Sequence, residues 1–112
     1  MLDAIAEIGS FDPPYTKETF ERNSMLRAAI AMMLGVIGES ANGVSTEVRE
    51  AHPEIPWRDI IGMRNRVIHD YFGLRTDVID QVIVVHLPML EDQLLELLKD
   101  LPDHPPMDLP VR

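Results

Sequence analysis

The chain has 112 residues and a formal net charge of −9, with 19 acidic and 10 basic side chains and no cysteine. This length suits one domain with its own hydrophobic core. The absence of cysteine excludes disulfides, thiolate metal ligands and a cysteine nucleophile, and it fits a reducing compartment such as the cytoplasm. The negative charge disfavours a non-specific nucleic-acid binder, which needs a broad basic face.

The N-terminus and the apolar runs predict neither a signal peptide nor a membrane span. Met1 is followed by Asp3 and Glu7 instead of basic residues, so we expect no leader. The longest apolar run, residues 28–37, carries Gly35 and is shorter than the roughly 18 residues needed to cross a bilayer. We therefore expect a cytoplasmic protein without a membrane partner.

Apolar residues recur at helical spacing along most of the chain. The predicted helices are residues 2–8, Lys17 to about Asn42, Thr46 to Ala51, about Pro56 to about Tyr71, and Asp77 to about Lys99. Residues that cap or end helices stand at their boundaries: Gly9, Pro13, Pro14, Thr16, Gly43, Ser45, Pro56, Gly73 and Thr76. Pro88 should kink the last helix, because it cannot donate a hydrogen bond to the Val84 carbonyl.

These elements predict an all-α bundle of about four main helices plus a short helix, over residues 1–100. The β-branched run at residues 82–85 lies within helical spacing, so no strand is expected. Residues 101–112 contain four prolines and should form an extended tail outside the core.

One predicted helix carries a dense group of polar residues, Arg64-Asn65-Arg66-Val67-Ile68-His69-Asp70-Tyr71. An arginine stabilises negative charge that develops on a phosphate. A histidine transfers protons near neutral pH. Together, an arginine and a histidine such as Arg64 and His69 are the minimum needed to cleave RNA without a metal.

Helical spacing limits how these side chains can cooperate. Asn65 and His69 are four residues apart and share a face, and Arg66 and Asp70 are also four apart and could pair. Arg64 and His69 are five apart, about 140° around the axis, so one helix does not point both at one spot. A two-fold homodimer would bring a second copy of the helix beside the first.

The residue types alone also allow a structural interpretation. In that interpretation Arg64 pairs with an acid on a neighbouring helix, and His69 is a half-buried residue with satisfied hydrogen bonds. We expect no metal site, since His52, His86 and His104 lack ligand spacing, and no cofactor.

Three glycines, Gly35, Gly38 and Gly62, are expected to permit close helix approach. The methionines of the second long helix are expected in the core, and a Met-rich face could form a dimer interface.

The wider context resembles the HepT-like toxins of the HEPN superfamily over roughly residues 2–100. The resemblance rests on His52 to Arg58, on Ile61 to Gly73, on Val36-Ile37-Gly38-Glu39-Ser40-Ala41, which resembles the "IGEA" stretch of that family, and on Leu87-Pro88. It implies a homodimeric helical bundle with ribonuclease activity. It also implies a partner antitoxin, a minimal nucleotidyltransferase.

Residue by residue, Arg64 and His69 match the catalytic pair of that family. Asn65 matches the polar residue beside the arginine, and Tyr71 matches the tyrosine that the antitoxin modifies with AMP in some members. The first hypothesis is therefore a metal-independent endoribonuclease toxin, in which Arg64 and His69 act on RNA with support from Asn65 and Asp70. The alternative is a non-catalytic HEPN module that binds a nucleotide or the nucleotidyltransferase.

Overall fold

The computed structural model describes residues 1–70 and 76–100, with the side chains of all of these except residues 66–70 and 76. All regular secondary structure in this part of the chain is helical, which confirms the predicted fold class. The elements are α1 (Leu2–Ser10), α2 (Lys17–Arg22), α3 (Ser24–Asn42), α4 (Thr46–Ala51), α5 (Trp57–Asp70), α6 (Thr76–Gln81), a π-helical turn (Val82–His86) and α7 (Leu87–Asp100). Tyr71, the predicted helix end at Gly73 and the predicted tail 101–112 lie outside the described residues.

The prediction of one continuous helix from Lys17 to Asn42 was wrong, because Asn23 ends α2 and caps α3. Its backbone is extended, at φ −118° and ψ 105°, and its side chain accepts a hydrogen bond from the Leu26 N–H at 3.0 Å. Arg27 donates to the carbonyls of Phe20 and Glu21 at the end of α2, at 3.0 and 2.7 Å. These bonds satisfy one free N–H at the start of α3 and two free carbonyls at the end of α2.

The prediction that Gly9 ends the first helix was wrong, since α1 continues through Gly9 to Ser10 and a helix tolerates a glycine at modest cost. The predicted boundaries at Thr16, Gly43 and Ser45 agree with the structure. Thr16 and Thr19 form a reciprocal capping box at the start of α2. Gly43 follows the last residue of α3, and Ser45 accepts from the Val48 N–H at 3.2 Å to cap α4. Side-chain capping therefore places these helices as the sequence indicates.

The helix before Pro88 contains a π-helical turn. The Leu87 N–H donates to the Val82 carbonyl, five residues earlier, within the segment Val82–His86. A π turn inserts one extra residue and shifts the hydrogen-bond register just before the proline, which has no N–H of its own. The polypeptide thus remains helical from Thr76 to Asp100.

Helix α3 forms the centre of the core and packs against α1, α2 and α5. Ile30, Leu34, Ile37 and Ala41 are almost completely buried. Among the described helices, α3 is also the one long and apolar enough to cross a membrane by length and composition. We expected no such segment from its apolar runs. The helix passes this test because its core positions and its outer face are both apolar.

Candidate functional site

Helix α5 is anchored at its first turn. The Trp57 indole donates to the His52 carbonyl at 3.0 Å, and the Ile60 N–H bonds to the Pro56 carbonyl at 3.1 Å. Trp57 and Ile60 are buried in the core. This anchoring fixes the rotation of α5 and hence the direction in which Arg64 leaves the helix.

Gly38 brings α5 into direct contact with α3. A Cβ added at Gly38 would lie 2.8 Å from the Ile60 carbonyl oxygen, 3.0 Å from the Arg64 nitrogen and 3.2 Å from the Arg64 Cβ. A side chain at this position would therefore push the helices apart. The expectation of close approach is confirmed at Gly38. It was wrong for Gly35 and Gly62, since no atom of the described residues lies within 4 Å of a Cβ added there.

Arg64 forms an ion pair with Glu39, the residue after Gly38. The distance from Arg64 Nε to Glu39 Oε2 is 2.7 Å, and the side chains are 50% and 60% exposed. The structure therefore supports the pairing with a neighbouring acid that the sequence left open. Since the bond uses Nε, it leaves the two terminal nitrogens of the guanidinium for another anion.

The structure describes the remaining predicted site residues only in part. Asn65 is exposed on α5, beside Arg64. Helix α5 continues through His69 and Asp70, so the backbone positions of Arg64 and His69 are about 140° apart, as predicted. The side chains of His69 and Asp70, and all of Tyr71, are outside what the structure describes.

The outward face of α3 that leads to Glu39 is apolar and exposed. Met25, Met32 and Val36 are 82%, 69% and 42% exposed. Their spacing of seven and four residues places them on one stripe, and Glu39 continues that stripe three residues later. Gly35 lies beside the stripe and faces open space. This surface, the α3 stripe, is thus continuous with the Arg64–Glu39 pair.

A groove of about 970 Å³ lies between α5 and the helix formed by α6, the π turn and α7. It is lined by the side of α5 that carries Arg58 and Met63, and Arg64 does not belong to the lining. The groove is therefore separate from the Arg64–Glu39 pair. No cluster of potential metal ligands occurs within residues 1–70 and 76–100.

Glu39 had no role among the sequence predictions beyond its place in the family-like stretch at residues 36–41. Its contact with Arg64 was not predicted. The feature of the sequence that points to this contact is Gly38 directly before Glu39. A glycine that lets two helices touch places the next residue at the edge of the contact, where its side chain reaches the facing helix.

The chain is similar in sequence to a ribonuclease family and to several named proteins. The family model described as "Ribonuclease HepT-like" matches residues 1–104. A protein of Caldanaerobacter subterraneus named "Putative RNase TTE0752" is 38% identical over 82 residues, which cover 73% of each chain. A protein of Thermococcus cleftensis named "Probable ribonuclease HepT" is 31% identical over 99 residues, which cover 88% of this chain and 90% of the relative. No solved structure matches the chain. By the extent of the family match and the identity to these relatives, the chain belongs to the HepT-like ribonuclease family.

Proposed function

We propose that this protein is a metal-independent endoribonuclease that acts as the toxin of a toxin–antitoxin pair. The observation that carries the proposal is the ion pair of Arg64 with Glu39 and the position of Arg64 on the same helix as His69. The guanidinium of Arg64 pairs with Glu39 through Nε, and Arg64 lies five positions before His69 on a continuous helix. In a chain of a ribonuclease family, this arrangement supports a phosphate-binding arginine next to a proton-transfer group.

The proposed reaction is an intramolecular transesterification. The ribose 2′-oxygen attacks the adjacent phosphorus while His69 accepts the hydroxyl proton. The bond from phosphorus to the 5′-oxygen breaks, and a water molecule donates a proton to the departing 5′-oxygen. The terminal N–H groups of Arg64 donate to the non-bridging oxygens, where negative charge increases in the transition state. The products are a 2′,3′-cyclic phosphate and a 5′-hydroxyl. Asn65 would orient His69 or a phosphate oxygen, and Asp70 would support the helix through Arg66.

We also propose that the active unit is a homodimer joined along the α3 stripe. Exposed methionines and a valine on one helix face have no partner within the described chain, and apolar surface of this kind is normally covered in an assembly. The stripe ends at Glu39, so a second copy seated there would place its own α5 near Arg64. Two arginines and two histidines would then line one cleft.

The proposed antitoxin is a minimal nucleotidyltransferase that transfers AMP to Tyr71. An AMP group would add negative charge two positions after His69 and compete with RNA for Arg64. Intact mass measurement after coexpression tests this. The expected adducts have the mass of AMP and disappear in Tyr71→Phe.

Incubation of the purified protein with total RNA in EDTA tests the nuclease proposal. The wild type should cleave, and His69→Ala should lose roughly 10²- to 10⁴-fold in rate, as expected for loss of a proton-transfer group. Arg64→Ala should be similarly impaired. Arg58→Ala is the matched control, because Arg58 is an exposed arginine of the same helix that lies in the separate groove. Cleavage by His69→Ala at the wild-type rate would show that the assignment is wrong.

The second candidate function is a module that binds a nucleotide or the nucleotidyltransferase without cleaving RNA. The net charge of −9 and the existing pairing of Arg64 with Glu39 favour it. In that case RNA stays intact with the wild type, while Arg64→Ala still weakens nucleotide or partner binding.

A further inference from the structure

We infer that Glu39 is a positioning residue that orients the guanidinium of Arg64 for phosphate. The inference rests on the proposed function and extends it to a residue on a different helix. The evidence is the 2.7 Å contact from Arg64 Nε to Glu39 Oε2. Within the described residues, Glu39 is the acidic partner of Arg64.

The contact between the helices fixes both ends of this pair. Gly38 lets the backbone of α3 approach α5 closely at Ile60 and Arg64, so the packing of the two helices brings Glu39 and Arg64 near each other. Neither side chain has to bend the backbone to meet the other. The ion pair is therefore built by the same packing that defines the α3–α5 interface.

The choice of nitrogen has a chemical consequence. A carboxylate on Nε restrains rotation about the last side-chain bonds and sets the plane of the guanidinium. The two terminal nitrogens remain as a pair of parallel donors, which matches the geometry of two phosphate oxygens. Without Glu39, Arg64 would still be charged but would sample many directions.

The exposure of both side chains argues against a mainly structural role. Surface ion pairs contribute little to folding stability, since water and salt screen them. The negative charge of Glu39 also opposes RNA binding near Arg64. A pair that adds little stability and weakens ground-state binding is best explained by the orientation that it imposes.

The first test compares steady-state RNA cleavage by Glu39→Ala and Glu39→Gln. Glu39→Ala should lower kcat by roughly 10- to 100-fold, as expected for a misaligned group, with KM unchanged or lower. Glu39→Gln keeps an oxygen acceptor for Nε and should fall between alanine and the wild type. Glu96→Ala is the control, because Glu96 is an exposed glutamate that pairs with Lys99 at 3.0 Å on α7. It should cleave like the wild type.

A Glu39→Ala variant with wild-type kcat would overturn the inference, and so would equal losses for alanine and glutamine, which would indicate a charge effect alone. Failure of the proposed function gives a different pattern, in which Arg64→Ala cleaves like the wild type or the wild type itself does not cleave RNA.

A second measurement tests the role of Glu39 whether or not the protein cleaves RNA. NMR exchange of the Arg64 Nε–H, assigned with Arg64→Lys, should be slow in the wild type and fast in Glu39→Ala. Equally fast exchange in both proteins would overturn the inference.

Discussion

At the scale of single residues, the site depends on the contact between Gly38 and α5. The backbone of α3 touches Ile60 and Arg64 there, and the neighbouring Glu39 reaches Arg64 as a result. The absence of a side chain at Gly38 thus determines both the packing of α3 against α5 and the orientation of the Arg64 guanidinium. Gly35, three residues earlier on the same helix, has no such contact.

Gly38→Ala should therefore destabilise the fold, and Gly35→Ala should stabilise it. The added methyl group at position 38 meets backbone atoms that cannot rotate away, and overpacking of this kind costs about 1–3 kcal/mol. At position 35 the methyl group meets open space, and replacing a helical glycine by alanine gains about 0.5–1 kcal/mol. Urea denaturation of both variants measures the difference. A Gly38→Ala protein as stable as the wild type would contradict the close contact.

At the scale of elements, a half-buried tyrosine connects the loop between α1 and α2 to α6. The Tyr15 hydroxyl, in the loop between α1 and α2, donates to Asp80 Oδ1 on α6 at 2.8 Å. Its ring also packs edge-on against the buried Phe20. Desolvation raises the pKa of Tyr15 far above its ordinary value, and the hydrogen bond to Asp80 adds to this increase.

This raised pKa predicts a loss of stability at high pH. Above about pH 10 the tyrosine of the unfolded chain releases its proton while the folded one keeps it. The folded state then binds more protons, so the free energy of unfolding falls as the pH rises. Tyr15→Phe should remove this part of the pH dependence and destabilise the protein by about 1 kcal/mol at neutral pH. Thermal melts of both proteins from pH 8 to 11 measure it, and parallel curves would contradict the assignment.

The elements also show what the sequence can and cannot determine. The helix ends at Thr16, Gly43 and Ser45 could be predicted from the sequence, because a capping residue acts on residues three or four positions away along the chain. Asn23 was missed because Met25, Leu26 and Ala29 continue the apolar spacing of Phe20, and a helix that restarts in phase looks continuous. Gly38 and Gly35 look alike in sequence, since the facing backbone that distinguishes them belongs to α5. The pairing of Glu39 with Arg64 could not be predicted for the same reason, because the two residues lie on different helices.

At the scale of the whole molecule, the α3 stripe should be the surface that joins two copies. Met32→Glu places a charge at its centre and should convert a dimer into a monomer, because an unpaired charge is costly to bury. Leu95→Glu is the matched control, since Leu95 is 48% exposed on α7, away from the stripe. Light scattering at micromolar concentration should give twice the chain mass for the wild type and for Leu95→Glu. A monomeric wild type, or a dimeric Met32→Glu, would contradict the proposed interface.

A mixing experiment determines whether the two copies share an active site. If Arg64 of one copy works with His69 of the other, a mixed dimer of Arg64→Ala and His69→Ala chains has one site without both groups and one intact site. Random mixing makes half of the dimers mixed, so the mixture should recover about a quarter of the wild-type cleavage rate, although each variant alone is inactive. The 140° separation of the two backbone positions on α5 favours this outcome. A mixture as inactive as its components, with subunit exchange confirmed by mass, would place Arg64 and His69 of each site within one chain.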